Sequence, residues 1–166
     1  HLPVRMSEIH GMAQRGGVVE SALVFGDAQS PIISDGEADI LVGFEPAESL
    51  RALKKCNADT TVIINTAALQ PFTAAIGKGV YPDLDDIQRL IASKCARLIS
   101  LDAAALAREA GNVLSVNMVL LGALSATNLI PLNEQSLKDA IAAVTRQAFA
   151  ETNLKAFELG RKAATA

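Results

Sequence analysis

The chain predicts an α/β fold of three layers, α/β/α, built on a mixed, mainly parallel sheet with one antiparallel hairpin. Three observations lead there. Ala38–Phe44, Thr60–Asn65 and Arg97–Leu101 are mostly apolar runs of strand length, the pattern of strands covered on both faces. Segments with helical spacing of apolar residues separate them, and alternating strands and helices imply a parallel sheet. Before them, the β-branched run Val18–Phe25 lies between Gly16-Gly17 and Gly26-Asp27, with further extended sequence on either side.

Taken in order, Leu2–Met6 reads as a short extended segment entering a loop over Ser7–Gly17. Val18–Phe25 and Ser30–Ser34, joined across Gly26-Asp27, read as the hairpin, with Pro31 placing the second strand at an edge or at its own start. After the Ala38–Phe44 strand, Pro46 suits the first turn of a helix, and Glu45 and Glu48 suit its positive end. That helix presents Leu50, Leu53 and Cys56 on one face. Asp83 caps a helix carrying Ile87, Leu90, Ile91 and Cys95, and Asp102 caps another that Gly111 closes. Val113–Thr127 reads as a largely buried helix, broken by Pro131. Asn133 caps the next, with Leu137, Ile141 and Val144 in one stripe and Phe149 and Phe157 extending the apolar pattern. No linker or repeat divides the 166 residues, which predicts one domain over 1–166.

Composition narrows the function. Half the residues are hydrophobic and a fifth are charged, as in globular proteins. The net charge of −3 gives no footprint for nucleic acid. The longest apolar stretch, Val116–Leu124, is too short to span a bilayer, and the start does not read as a secretory leader. Two cysteines, Cys56 and Cys95, cannot supply the ligand set of an iron–sulfur cluster or a structural zinc, so no metal site is expected. They read as interior free thiols in a cytoplasmic protein.

Catalytic motifs are missing. There is no GxGxxG, Walker A, HExxH or GxSxG, and Gly77-Lys78-Gly79 reads as a surface loop. Of two histidines, His1 is terminal and His10 stands alone in a polar stretch. No catalytic residue is assigned. The segment that asks for an explanation is Ser7-Glu8-Ile9-His10-Gly11-Met12-Ala13-Gln14-Arg15-Gly16-Gly17. Its paired glycines permit close approach of a backbone or ligand, and Arg15 offers a planar donor fork for phosphate or carboxylate. A solvated segment with Arg15 paired to a nearby acid is the plainer alternative. Asn117, an amide in an apolar helix, needs partners if buried, and a core hydrogen bond to backbone would satisfy it.

This SEIHGMAQRGG segment resembles the gamma module of the 2-oxoacid:ferredoxin oxidoreductases, most of all in the members acting on indolepyruvate. The resemblance continues through Ser30-Pro31-Ile32-Ile33, through Gly36-Glu37-Ala38-Asp39-Ile40-Leu41-Val42-Gly43-Phe44-Glu45-Pro46, and through Asn65 at the end of its strand. It then takes in Gly111-Asn112, Asn117–Leu124 and Asn153–Phe157. Family members open with a strand, a glycine-rich loop and a helix. That unit is absent from this sequence, which starts His1-Leu2-Pro3, and omission is expected rather than natural loss, since loss would bare a strand edge.

The resemblance implies an accessory subunit of a complex that oxidatively decarboxylates a 2-oxoacid to an acyl-CoA and reduces ferredoxin. Thiamine diphosphate and iron–sulfur clusters would be held by partner subunits, with none bound by this chain. It also implies that Gln14, Arg15, Gly16 and Gly17, with Asn117, help form the coenzyme A side of the site. Outside the family, the competing expectation is a free-standing α/β nucleotide-binding module.

Overall fold

The structure is a computed structural model and describes residues 2–10, 19–69 and 81–165. Strands β1 (Val4–His10) and β2 (Val19–Phe25) pair antiparallel in unbroken register from Val4↔Phe25 to His10↔Val19. The hairpin is thus made by the segment before the glycines, and Ser7–His10 belongs to β1 rather than to a loop. Ser30–Ser34, expected to be the second hairpin strand, is irregular. Strand β1 takes up one edge of β2, and Pro31 lacks an N–H to donate to a ladder on the other. Residues 30–34 are held by other means: the Ser30 hydroxyl accepts from Ile32 N at 3.1 Å, and Lys55 Nζ donates to Ile33 O at 2.7 Å.

The parallel sheet has the order β3–β4–β5, with β3 Ala38–Gly43, β4 Cys56–Asn65 and β5 Arg97–Leu101. Among the described residues it is separate from the hairpin by hydrogen bonding. Its central strand β4 is buried from Thr60 to Asn65. The β3 strand lies at the edge among the described residues, so Leu41 and Val42, expected to be buried, are half-buried. Ile63 and Ile64, expected with them, are fully buried.

Side chains alternate across β4 and define the two outer layers. Val62 and Ile64 face helices α1 (Pro46–Ala52) and α2 (Leu84–Ala92), packing with Leu53, Cys56, Ile87 and Ile91. Ile63, Ile99 and Leu101 face α3 (Ala103–Ala110), α4 (Val116–Ala126) and α6 (Gln147–Thr165). Helix α5 (Glu134–Val144) lies on that layer through Leu137 and Ile141 against Phe157.

The helix boundaries follow the polar residues that cap them. Asp83 accepts from Asp85 N at 2.9 Å, Asp102 from Ala105 N at 2.8 Å, and Asn133 from Ser136 N at 2.8 Å. Gly111 ends α3 at φ 114°, a left-handed conformation that favours glycine. Several expected details shift. Cys56 opens β4 instead of lying on the helix after Pro46, because α1 stops at Ala52 and a 3₁₀ turn, Leu53–Lys55, intervenes. The Val113–Thr127 helix begins with a 3₁₀ turn, Val113–Ser115, capped by Asn112. Leu90, Val144 and Phe149 are exposed, since the buried stripe on each helix is narrower than its apolar pattern.

Glycine decides how closely α4 and α6 approach. A Cβ on Gly160 would sit 1.9 Å from Val119 O, and one on Gly122 would sit 1.9 Å from Phe157 O. Both obstacles are backbone, so neither helix can yield by turning a side chain. The ends of this layer are tied by charge: Glu134 meets Lys138 at 2.5 Å and Arg161 at 2.7 Å, while Lys138 also meets Glu158. The Lys138 ammonium, hydrogen-bonded to Glu134, holds that carboxyl below the usual range. These groups are solvated, so packing at the glycines outweighs them.

Gly160→Ala should therefore destabilise the fold despite alanine's better helix propensity, worth about 1 kcal/mol. Overpacking typically costs about 1–3 kcal/mol, and an immovable backbone carbonyl puts Gly160 at the upper end, which lowers Tm by roughly 4 °C or more once the propensity gain is set against it. Thermal unfolding followed by circular dichroism checks this, and a Tm equal to or above that of the unsubstituted chain would contradict the crossing geometry.

Candidate functional site

Ligands of parallel α/β sheets bind beyond the carboxyl ends of the strands. Here that edge is organised by one side chain, Asn65, the last residue of β4 and 4% exposed. Its Nδ2 donates to Phe44 O, just after β3, at 3.0 Å. Its Oδ1 accepts from Ala67 N at 3.1 Å and from Ala103 N, just after β5, at 3.0 Å. Thr66 N donates to Leu101 O at 2.9 Å. All three strand ends are thereby locked together at backbone atoms.

The β3 end is braced further. A Cβ on Gly43 would lie 1.8 Å from Ser49 Oγ, so only glycine lets α1 fold back this tightly. The buried Ser49 hydroxyl donates to Glu45 O at 2.6 Å, and the Glu45 carboxylate accepts from Glu48 N at 3.0 Å. Tyr81 donates its hydroxyl to the same carboxylate. Burial and the Glu45 charge push the phenol up to about 12, so Tyr81 stays a neutral donor at physiological pH. Between these braces Phe44 stands 53% exposed.

A second polar chain lies where α4, α5 and α6 meet. Ser115 Oγ donates to Asn153 Oδ1 at 2.7 Å, and Asn153 Nδ2 donates to Thr145 Oγ1 at 3.2 Å. Asn117, two residues on, is exposed, so the expectation of a core hydrogen bond for its amide is corrected. The buried amide with backbone partners is Asn65. It closes an otherwise apolar strand, and a polar residue there must find partners. Asn65 and Asn117 carry the same signal in the sequence, and only Asn65 is buried.

On the hairpin, Glu8 and His10 share one face of β1. The His10 Nε2 lies 2.7 Å from Glu8 Oε1, and Ser21 Oγ donates to Glu8 Oε2 at 3.2 Å. Both side chains are exposed and lead toward the sequence that holds Gln14, Arg15, Gly16 and Gly17. Those four residues, and Gly77-Lys78-Gly79, lie outside the described residues. The cysteines are free, Cys56 buried and Cys95 half-buried. Burial, followed by the nearby Cys95, raises the Cys56 thiol, and burial raises Cys95. Among the described residues no group of three or more His, Cys, Asp or Glu could hold a metal ion, and no helix is long and apolar enough to cross a membrane.

Comparison with known proteins gives the family of the chain and relatives of its fold. Residues 1–163 match the family described as pyruvate ferredoxin/flavodoxin oxidoreductase. The chain belongs to that family. It is 41% identical over 161 residues to the indolepyruvate oxidoreductase subunit IorB of Methanothermobacter thermautotrophicus, covering 97% of this chain and 82% of that protein. Its fold is similar to the gamma subunit of a keto/oxoacid ferredoxin oxidoreductase from Geobacter sulfurreducens. There the TM-score is 0.66 at 17% identity, over 99% of this chain and 81% of that one. It is similar again to a 2-oxoglutarate:ferredoxin oxidoreductase from Magnetococcus marinus solved with 2-oxoglutarate, coenzyme A and succinyl-CoA. That match has a TM-score of 0.66 at 21% identity, over 99% of this chain and 26% of that chain.

The chain thus spans about four-fifths of the length of the family relative it matches, and the fold of the described residues is that of the Geobacter sulfurreducens gamma subunit. Within it, Asn65 carries the geometry of the sheet's carboxyl edge. Asn65→Ala should destabilise the chain by about 2–4 kcal/mol, because it strands a carbonyl and two N–H groups. Asn117→Ala, on an exposed face, should stay within about 0.5 kcal/mol. Urea unfolding of the two variants beside the unsubstituted protein makes the comparison, and equal stabilities would remove Asn65 from this role.

Proposed function

We propose that the chain is a gamma-type accessory subunit of a thiamine diphosphate-dependent 2-oxoacid:ferredoxin oxidoreductase complex, with indolepyruvate as the first substrate choice. It works as one domain over residues 1–166, in the cytoplasm, beside thiamine-binding and iron–sulfur subunits, and reaches ferredoxin through that complex. The observation that carries the reading is the 41% identity to IorB over 97% of the chain, together with the SEIHGMAQRGG segment whose first part forms the exposed end of β1. A free-standing nucleotide-binding module accounts for neither.

The work of this chain is to dock and to bind. Thiamine diphosphate on another subunit supplies the decarboxylation chemistry. Gln14 and Arg15 present an amide and a guanidinium to coenzyme A, and Gly16 and Gly17 leave room for its phosphates to approach backbone N–H groups. Asn117, exposed on α4, offers a further amide. The coenzyme A bound to the Magnetococcus marinus oxidoreductase makes this the appropriate ligand to test.

Docking is assigned to the same end of the hairpin, where Glu8 and His10 stand exposed on one face. Reversing charge at two positions, Glu8→Lys with Arg15→Glu, should weaken copurification with the thiamine-binding subunit in pull-downs from co-expressed proteins. Undiminished recovery would take this segment out of the interface.

Arg15→Ala in the assembled complex should raise the KM for coenzyme A about 10- to 150-fold, the loss of one charge-assisted hydrogen bond of roughly 1.5–3 kcal/mol. The KM for the oxoacid should hardly move, and Arg15→Lys should restore only part, because a point charge replaces a fork of donors. Steady-state kinetics with each substrate varied separately gives the answer. Equal effects on both substrates, or none on either, would leave Arg15 with a docking or structural role only.

A further inference from the structure

We draw no further inference here: the strongest candidate, the exposed face of the two-stranded sheet where Val4, Met6, Val19 and Leu23 flank Glu8 and His10, belongs to the docking surface already proposed, and nothing in the structure shows what covers its apolar part.

Discussion

The buried amide of Asn65 joins three strand ends that would otherwise be held only by their ladders. Parallel strands diverge beyond their last hydrogen bond, and the turns that follow must satisfy their own backbone groups. By donating to Phe44 O and accepting from Ala67 N and Ala103 N, one side chain answers that need at all three places. The β3–α1 junction, the start of α3 and the exposed Phe44 all take their positions from it. The second rigid joint, the glycine contact between α4 and α6, closes the opposite layer against the sheet.

Much of this was legible in the sequence because single residues with strong local physics decide it. Asp83, Asp102 and Asn133 cap the helices they were expected to cap, and Gly111 ends α3. Arg97–Leu101 is a strand with the expected bounds. What failed was pairing. Two extended segments flank Val19–Phe25, and nothing local says which one supplies the ladder. The longer segment without proline does so. Likewise, an apolar strand at a sheet edge reads the same as one at the centre, so Leu41 and Val42 looked as buried as Ile63 and Ile64.

The site was legible only in part, for a related reason. A buried polar residue declares itself by standing among apolar neighbours, and both Asn65 and Asn117 do so. Asn65 lies on a central strand covered on both faces, whereas Asn117 lies on a helix whose outer side meets solvent. Period alone does not separate them. The hydrogen bond from Tyr81 to Glu45 joins residues 36 apart in sequence and had no local signature. The family segment from Ser7 to Gly17, in contrast, is recognisable in the sequence as a string of residue types.

Membership of the oxidoreductase family supports the proposal of a chain that assists chemistry performed elsewhere. Among the described residues both thiols are free and raised by burial, and Asp83, Asp102, Asn133 and Asn65 serve as caps and joints. The central claim is dependence on a partner subunit. The direct measurement is 2-oxoacid-dependent reduction of a dye acceptor, with coenzyme A, thiamine diphosphate and magnesium supplied. It is made on this chain alone, on the thiamine-binding subunit alone, and on the two co-expressed. Turnover confined to the co-expressed pair is the result predicted. Turnover by this chain alone, or full turnover by the thiamine-binding subunit without it, would contradict the claim.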